Sequence, residues 1–432
     1  MSSVRRSRSY DLHRPFKDAR SIHVFAAKMK SFKVAVWSGS SLQNLGDRLL
    51  AAVTEEELRR RIPAIVLRHY CPWANGRHPA PLHINASGGW PGTGMFDAVV
   101  VAGGGVLAGP PFQHPVMATF CLGDHPELFD PRVKFAWNGV GLQDNCPDLA
   151  PESKAQGRWQ RSYLKAFSQR ATYLSVRDKT ALSRLKAAEA AHAVLTPDPT
   201  FALPLSLYKS KAFRRKPRVG FMIGALGNSK IDTDNLKHLA PTATRNPEHV
   251  FRYESHLDAD SYRNKNTAMH FFGICSAISQ LNKSFEVNIV TANNIYGDQY
   301  FARSLALLFP DVRVQNIPID IRSLGQITEI QEVFASYDVL VCSRFHSVIL
   351  ALRAGVRVIA VDPYKHLSGQ PTKLADLLQQ LGLEHRIWQP ESIGLADLIT
   401  SSLHDEHVEP ARYEVQHRAA MHTFDEITQT LR

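Results

Sequence analysis

The stretch DVLVCSRFHSVILALRAGVRVIAVDPYK, residues 338–365, decides the fold. It holds two short apolar runs, Val339–Cys342 and Val358–Val361, on either side of a segment, Ser347–Ala354, whose apolar residues recur at helical spacing. Short continuous apolar runs are strands covered on both faces, and a helix between two of them is the crossover that joins parallel neighbours. The polar residues gather where the strands end: Ser343, Arg344 and His346 after the first, Asp362, Tyr364 and Lys365 after the second. Ligands of open parallel sheets bind beyond the carboxyl ends of the strands. Arg344, His346 and Lys365 therefore converge on one rim. A single histidine at a helix start is usually structural, but three cationic or proton-carrying groups on one rim point to an anion site.

The same alternation extends outward in both directions. Strands are expected at Val219–Ile223, Val287–Thr291 and Val312–Ile317, with helices at Ala268–Leu281, Asp298–Leu308, Ile327–Ala335 and Thr372–Leu381. An earlier series has strands at Lys33–Trp37, Ala98–Ala102, Val133–Trp137, Tyr173–Val176 and Ala193–Leu195, with helices at Asp47–Arg61 and Lys179–Lys186. The polar, basic stretch Leu207–Arg218 separates the two series and reads as a linker. The fold class is α/β: two Rossmann-like domains facing across a cleft. The expected divisions are a basic, flexible tail at 1–30, an N-terminal domain at 31–210, a C-terminal domain at 211–405, and a C-terminal helix at 406–432 that packs back across the first domain. Ile231–Asn266 is a long polar stretch, and it is either a functional lid or partly disordered.

Composition narrows the function. A chain of 432 residues, 44% hydrophobic and 21% charged, is an ordinary globular protein large enough for two cores. No apolar run reaches the ~18–20 residues of a membrane span, and the arginines near the start lack the apolar segment of a secretory signal. The five cysteines are scattered without CxxC spacing, which fits reduced thiols and a cytoplasmic setting. The net charge of +11 suits an anionic partner: a phosphorylated substrate, or an anionic membrane surface touched by the basic tail. Nucleic acid fits least, since no zinc finger, RNP motif or basic helix is present.

Four other strand ends carry candidate residues. In Ser38–Asp47, Asn44 and Asp47 either cap the following helix or hold a sugar hydroxyl. Gly103, Gly104 and Gly105 either form a tight turn or let a ligand approach the backbone. They are not the GxGxxG dinucleotide pattern. Arg177 presents a rigid fork suited to carboxylate or phosphate, unless it only pairs with Asp178 or a neighbouring acid. Asp198, between Pro197 and Pro199, reads as a turn residue. Asp258-Ala259-Asp260 has the form of a metal-binding DxD but lies in a polar loop with no strand before it, so no metal is expected there.

Taken in order, GSSLQNLGD, FDAVVVAGGGVL, YLSVRD, LTPDPTFAL, CSRFHSVILALRAGVRVIAV with Tyr364-Lys365, and Lys373-Leu374 resemble the polysaccharide pyruvyl transferases. That resemblance implies glycosyltransferase fold B (GT-B) and the transfer of a pyruvyl group from phosphoenolpyruvate to a sugar of an exopolysaccharide or its lipid-linked precursor. It implies a ketal product and released phosphate, with no cofactor and no metal. Arg177 and His346 match the family's donor-binding arginine and catalytic histidine, and Lys365 the lysine after the next strand. Arg344, Gly104 and Gly105 are then expected at the donor, and Asn44 and Asp47 at the acceptor. Arg357 stands where the family often has proline, and the 231–266 stretch and basic tail are additional. Two other readings remain: a nucleotide-sugar-dependent glycosyltransferase of the same fold, and a non-catalytic glycan-binding protein.

Overall fold

The computed structural model describes residues 31–38, 44–70, 96–108, 132–143, 164–165, 168–205, 216–224, 261–292, 298–317, 324–362 and 371–432. Lys365, the 1–30 tail, Asp258 and Asp260 lie outside the described residues, as does most of the 231–266 stretch.

Among the described residues, seven strands build the first sheet: β1 (Phe32–Trp37), β2 (Ile65–Tyr70), β3 (Ala98–Val101), β4 (Gly104–Ala108), β5 (Lys134–Gln143), β6 (Tyr173–Val176) and β7 (Val194–Leu195). Their order is β2-β1-β3-β5-β6-β7, with β4 alongside the far half of β5, and every pairing is parallel. Helix α1 (Leu45–Arg61) follows β1, and α2 (Lys179–Ala187) follows β6. Val34, Val36, Val100 and Ala136 point to one face, against Leu58 of α1. Ala35, Val99, Val101 and Trp137 point to the other, against Ala181 and Leu185 of α2. The period of two in these strands thus fills two cores at once, as a doubly covered sheet requires.

The second sheet is also parallel, with six strands: β8 (Arg218–Met222), β9 (Glu286–Thr291), β10 (Arg313–Asn316), β11 (Val339–Cys342), β12 (Arg357–Val361) and β13 (Ile387–Trp388). The order β10-β9-β8-β11-β12-β13 is the 3-2-1-4-5-6 winding of a Rossmann sheet, and it reverses between β8 and β11. Its helices are α3 (Ser261–Leu281), α4 (Asp298–Leu308), α5 (Leu324–Ala335), α6 (Phe345–Arg353), α7 (Lys373–Gln380) and α8 (Leu395–Ser402). The last helix, α9 (Glu409–Leu431), returns to the first domain, where Ile427 and Leu431 enter the core formed by β1, β3 and β5. The Tyr413 hydroxyl donates to the Leu203 carbonyl at 2.9 Å, and the Tyr173 hydroxyl donates to Glu426 at 2.8 Å.

A single apolar cluster joins the domains behind the cleft. Leu45, Leu49 and Val53 of α1, Phe201 and Leu203, and Tyr413 and Phe424 of α9 pack with Val348–Leu352 of α6. Arg353 fastens the same seam, donating to the Pro204 carbonyl at 2.9 Å and to Gln331 at 2.8 Å.

The expected elements differ from the observed ones on either side of the cleft. Gly104 and Gly105 lie in strand β4 and are not a tight turn, and β5 runs on from Trp137 to Gln143 to pair with it. The continuation bends at Gly139, which has φ of +59° where the register slips, so a side chain there would be strained. Helix α3 begins at Ser261, inside the polar stretch and ahead of the expected Ala268, because its first two turns carry few apolar residues to mark them as helical in the sequence.

Candidate functional site

Five helical N-termini meet where the carboxyl ends of the two sheets face each other, each set by its own capping residue or strand end. Asn44 caps α1 by accepting from the Gly46 amide at 3.0 Å. Asp178 caps α2 by accepting from Ala181 at 2.6 Å. Asp198 starts the 3₁₀ turn Pro199–Ala202, accepting from the Thr200 amide at 2.9 Å and its hydroxyl at 2.5 Å. Arg344 precedes α6 without a side-chain cap, and Thr372 caps α7. Partial positive charge from several helix starts favours an anion between them.

Asp198 is the centre of the cluster. Its Oδ2 accepts from Arg177 Nη1 at 2.5 Å and lies 3.6 Å from His346 Nε2, so one carboxylate bridges an arginine of the first domain and a histidine of the second. Burial pushes this carboxyl up, but Arg177, then His346, and the hydrogen bond from Thr200 outweigh it and hold Asp198 well below the usual carboxylate range. Arg177 stacks its guanidinium over Phe345, 4.5 Å from the ring centre. Its buried Nε has no hydrogen-bond partner, and neither has His346 Nε2. Unpaired polar atoms of this kind are rare in folded proteins and are what a ligand would satisfy.

Asp47, in the first turn of α1, faces His346, Arg177 and Lys373. Burial raises its carboxyl above the usual range, against the pull of those three cations and a hydrogen bond from Asn44. The site therefore holds two carboxyls shifted in opposite directions, Asp198 as a fixed anion and Asp47 with a stronger hold on its proton.

Glycines make the close approaches. A Cβ on Gly46 would fall 1.9 Å from His346 Nδ1, so the imidazole lies directly on the backbone of α1. A Cβ on Gly141 of β5 would meet Arg177 Nε at 2.7 Å, and one on Gly224 would meet Arg344 Nε at 2.2 Å.

Of the residues singled out from the sequence, Arg177, His346 and Asp47 come together, with Asn44 at the same helix start. Arg177 pairs with Asp198, across the turn, and not with the adjacent Asp178. Arg344 sits at the switch point of the second sheet with its fork on Asp298: Nε donates to Oδ2 at 3.0 Å and Nη2 pairs with Oδ1. Asp198, Gly46, Gly141 and Lys373 complete the cluster; Gly46, Asp198 and Lys373 lie in stretches that carry the family resemblance, Gly141 gave no signal, and the prolines flanking Asp198 suggested only a turn. Asp198 serves as turn residue and bridge at once. Among the described residues, no group of three or more His, Cys, Asp or Glu is gathered as for a metal ion.

The family model for polysaccharide pyruvyl transferases matches residues 44–365, which runs from the Asn44 cap to Lys365. The chain belongs to the polysaccharide pyruvyl transferase family. Its Arg177, Asp198 and His346 all lie within the matched span, and the family makes the chain a transferase acting in polysaccharide pyruvylation. No curated protein matches the chain in sequence. Solved structures similar to it include UDP-GlcNAc 2-epimerase from Neisseria meningitidis bound to UDP-GlcNAc, at 8% identity and TM-score 0.47, covering 93% of this chain and 99% of that one. Another is Anabaena Alr3699/HepE in complex with UDP and glucose, at 12% identity and TM-score 0.48, with coverage of 93% and 99%. UDP-GlcNAc 2-epimerase from Methanocaldococcus jannaschii, at 10% and 0.47, covers 89% and 98%. Among the described residues of this pyruvyl transferase, no helix is long and apolar enough to cross a membrane.

Proposed function

We propose that the donor is phosphoenolpyruvate and that the product is a pyruvate ketal on a sugar of a polysaccharide or its lipid-linked precursor. The observation that carries this reading is the Arg177–Asp198–His346 bridge, which brings a guanidinium from one domain and an imidazole from the other to one point. Phosphoenolpyruvate carries a phosphate and a carboxylate, which suit Arg177, Arg344 and Lys365 together with the converging helix starts. The strand β4 glycines, Gly104 and Gly105, allow backbone approach on the same side.

The reaction begins as a proton goes to the methylene carbon of the donor, leaving cationic character at its C2. A sugar hydroxyl attacks C2 and gives up its proton to a base. The C2–O bond to phosphate then breaks, and a second hydroxyl closes the ketal, its proton leaving with the phosphate. One proton enters and two are released, the second with the phosphate, so the balance closes. His346 serves as general acid or base, with Asp198 holding Arg177 by a hydrogen bond and lying 3.6 Å from the ring, close enough to stabilise an imidazolium. Asp47, with Asn44 beside it, holds the acceptor hydroxyls, and its raised carboxyl can share one of their protons. Arg177 and Lys365 stabilise the departing phosphate. The scheme requires no cofactor or metal.

The test is phosphate release that requires both phosphoenolpyruvate and a glycan acceptor, with a pyruvyl ketal mass appearing on one sugar. His346→Ala should remove that activity while keeping the fold. Release of a nucleoside diphosphate from a nucleotide sugar, with phosphoenolpyruvate inert, would refute the assignment.

A further inference from the structure

We infer that helix α7 is a latch between the domains, with Asp376 and Gln380 as positioning residues for Arg177; this rests on Arg177 acting on the donor as proposed above. The bonds all run from the second domain to the first. Asp376 Oδ2 accepts from the Lys179 amide at 2.7 Å, and Gln380 Nε2 donates to the Arg177 carbonyl at 3.2 Å. The same Nε2 donates to Asp376 Oδ2 at 3.1 Å, which ties the two gripping side chains together. Lys179 closes the circuit, its Nζ donating to Gln379 Oε1 at 3.1 Å and lying 3.7 Å from Asp376 Oδ1.

Arg177 is thus held on two sides. Its amide donates to the Val140 carbonyl within its own sheet at 3.2 Å, and its carbonyl is held by the other domain. Helix α7 does not need this polar face in order to pack, because Leu374, Leu377 and Leu378 already anchor it in the joint core. Asp376 is only 1% exposed, and a carboxylate is costly to bury unless its partners are in place. Gln380 on the same helix is one of them, and the others, the Lys179 amide and ammonium, belong to the first domain. When the polar face of α7 lifts from Arg177 and Lys179 while its leucines stay in the joint core, water takes over both halves of each bond, so the latch can open at modest cost and close again. At its other end the helix presents Lys373 towards Asp47, and its cap Thr372 donates to Asp362, just after β12. One short helix therefore links the backbone of Arg177, the Asp47 side of the site and the strand end that leads to Lys365.

If only the latched state holds Arg177 correctly, loosening the latch lowers the competent fraction and weakens apparent donor affinity in proportion. Asp376→Ala and Gln380→Ala should each raise the KM for phosphoenolpyruvate about tenfold. The kcat at saturating donor should stay within about twofold, because donor binding itself then drives closure. Asp376→Asn, which keeps an acceptor for the Lys179 amide, should restore most of the affinity, whereas Gln380→Glu, which sets a carboxylate against the Arg177 carbonyl and Asp376, should not. Hydrogen exchange at the Lys179 amide reads the latch without any donor, and it should speed up in Asp376→Ala. Unchanged exchange at Lys179 overturns the latch, even if phosphoenolpyruvate proves inert with the wild type. A fall in kcat with unaltered KM overturns it as well, since that is the mark of a structural role. Absence of wild-type turnover together with faster exchange in the variant keeps the latch and rejects the donor.

Discussion

Substitution of Gly46 by alanine separates folding from catalysis at a single methyl group. Gly46 sits in the second position of α1 with ordinary backbone, since its φ is not among the positive ones, so alanine is sterically allowed along the helix. Helix propensity alone would favour alanine by about 0.5–1 kcal/mol. The new methyl would, however, stand 1.9 Å from His346 Nδ1 and 2.6 Å from Cγ and Cε1. Ordinary contact needs about 3.5 Å, so the ring must withdraw by roughly 1.5 Å. An imidazole can swing aside at small cost, and a shift of about 1 Å in a reacting group can lower the rate about 100-fold. The expected result is a thermal midpoint within a few degrees of wild type and phosphoenolpyruvate-dependent phosphate release lowered by about 100-fold or more. Gly46→Ser should behave likewise. Wild-type turnover by a folded Gly46→Ala protein would show that His346 does not act from where it lies against α1, and the proposed chemistry would lose its acid–base group.

Three further outcomes follow from the same geometry. Asp198→Ala leaves Arg177 buried without its anion and should cost about 3–5 kcal/mol in chemical denaturation; a loss under 1 kcal/mol would mean that the bridge is not formed in solution. Glu55 accepts from or pairs with His69 at 2.7 Å, and although burial pushes its carboxyl up, the hydrogen bond and charge of His69, then Arg59, bring it down to about 2. A depressed carboxyl stabilises the fold above its unfolded value and loses that contribution as the pH falls through the folded one, so the thermal midpoint should drop between about pH 5 and pH 2. Glu55→Gln should flatten that acid limb, and superimposable limbs would contradict the pairing. Chelation by EDTA should leave pyruvyl transfer within about twofold, because in the proposed scheme Arg177, Arg344, Lys365 and the converging helix starts meet the donor's charge without a metal; loss of activity restored by magnesium or manganese would return Asp258 and Asp260 to consideration as ligands.

Strands buried on both faces announce themselves by unbroken apolar runs, which is why β11 and β12 could be read within a residue of their ends and the winding followed from them. β5 could be read only as far as Trp137. The next residues, Asn138-Gly139-Val140-Gly141, have poor strand propensity because glycine is needed for the positive φ at 139 and for the clearance of Arg177 at 141. Helix α3 was legible from Ala268 onward, where its apolar face begins. At the site, strand ends pointed to Arg177 and His346, because an arginine or a histidine there is unusual for the core. Asp198 gave the opposite impression: a carboxylate between prolines satisfies a local turn, and nothing in one dimension tells that its second oxygen reaches across the molecule. Gly46 was visible only as part of the GSSLQNLGD stretch, since its particular importance comes from a ring 300 residues further along the chain, about which local pattern is silent.

The return of α9 to the first domain also sets the order in which the chain can be completed as it is made. Synthesis normally lets the earlier domain finish folding while the later one is still emerging. Here Ile427 and Leu431 belong to the core around β1, β3 and β5, so that part of the earlier domain stays open to water until α9 leaves the ribosome. The second sheet, drawn from residues 218–388, has all its strands available sooner. The nascent protein therefore carries an uncovered apolar wall on its older half until α9 is made, and that helix acts as the closing stone for a sheet whose first strand lies some 400 residues earlier.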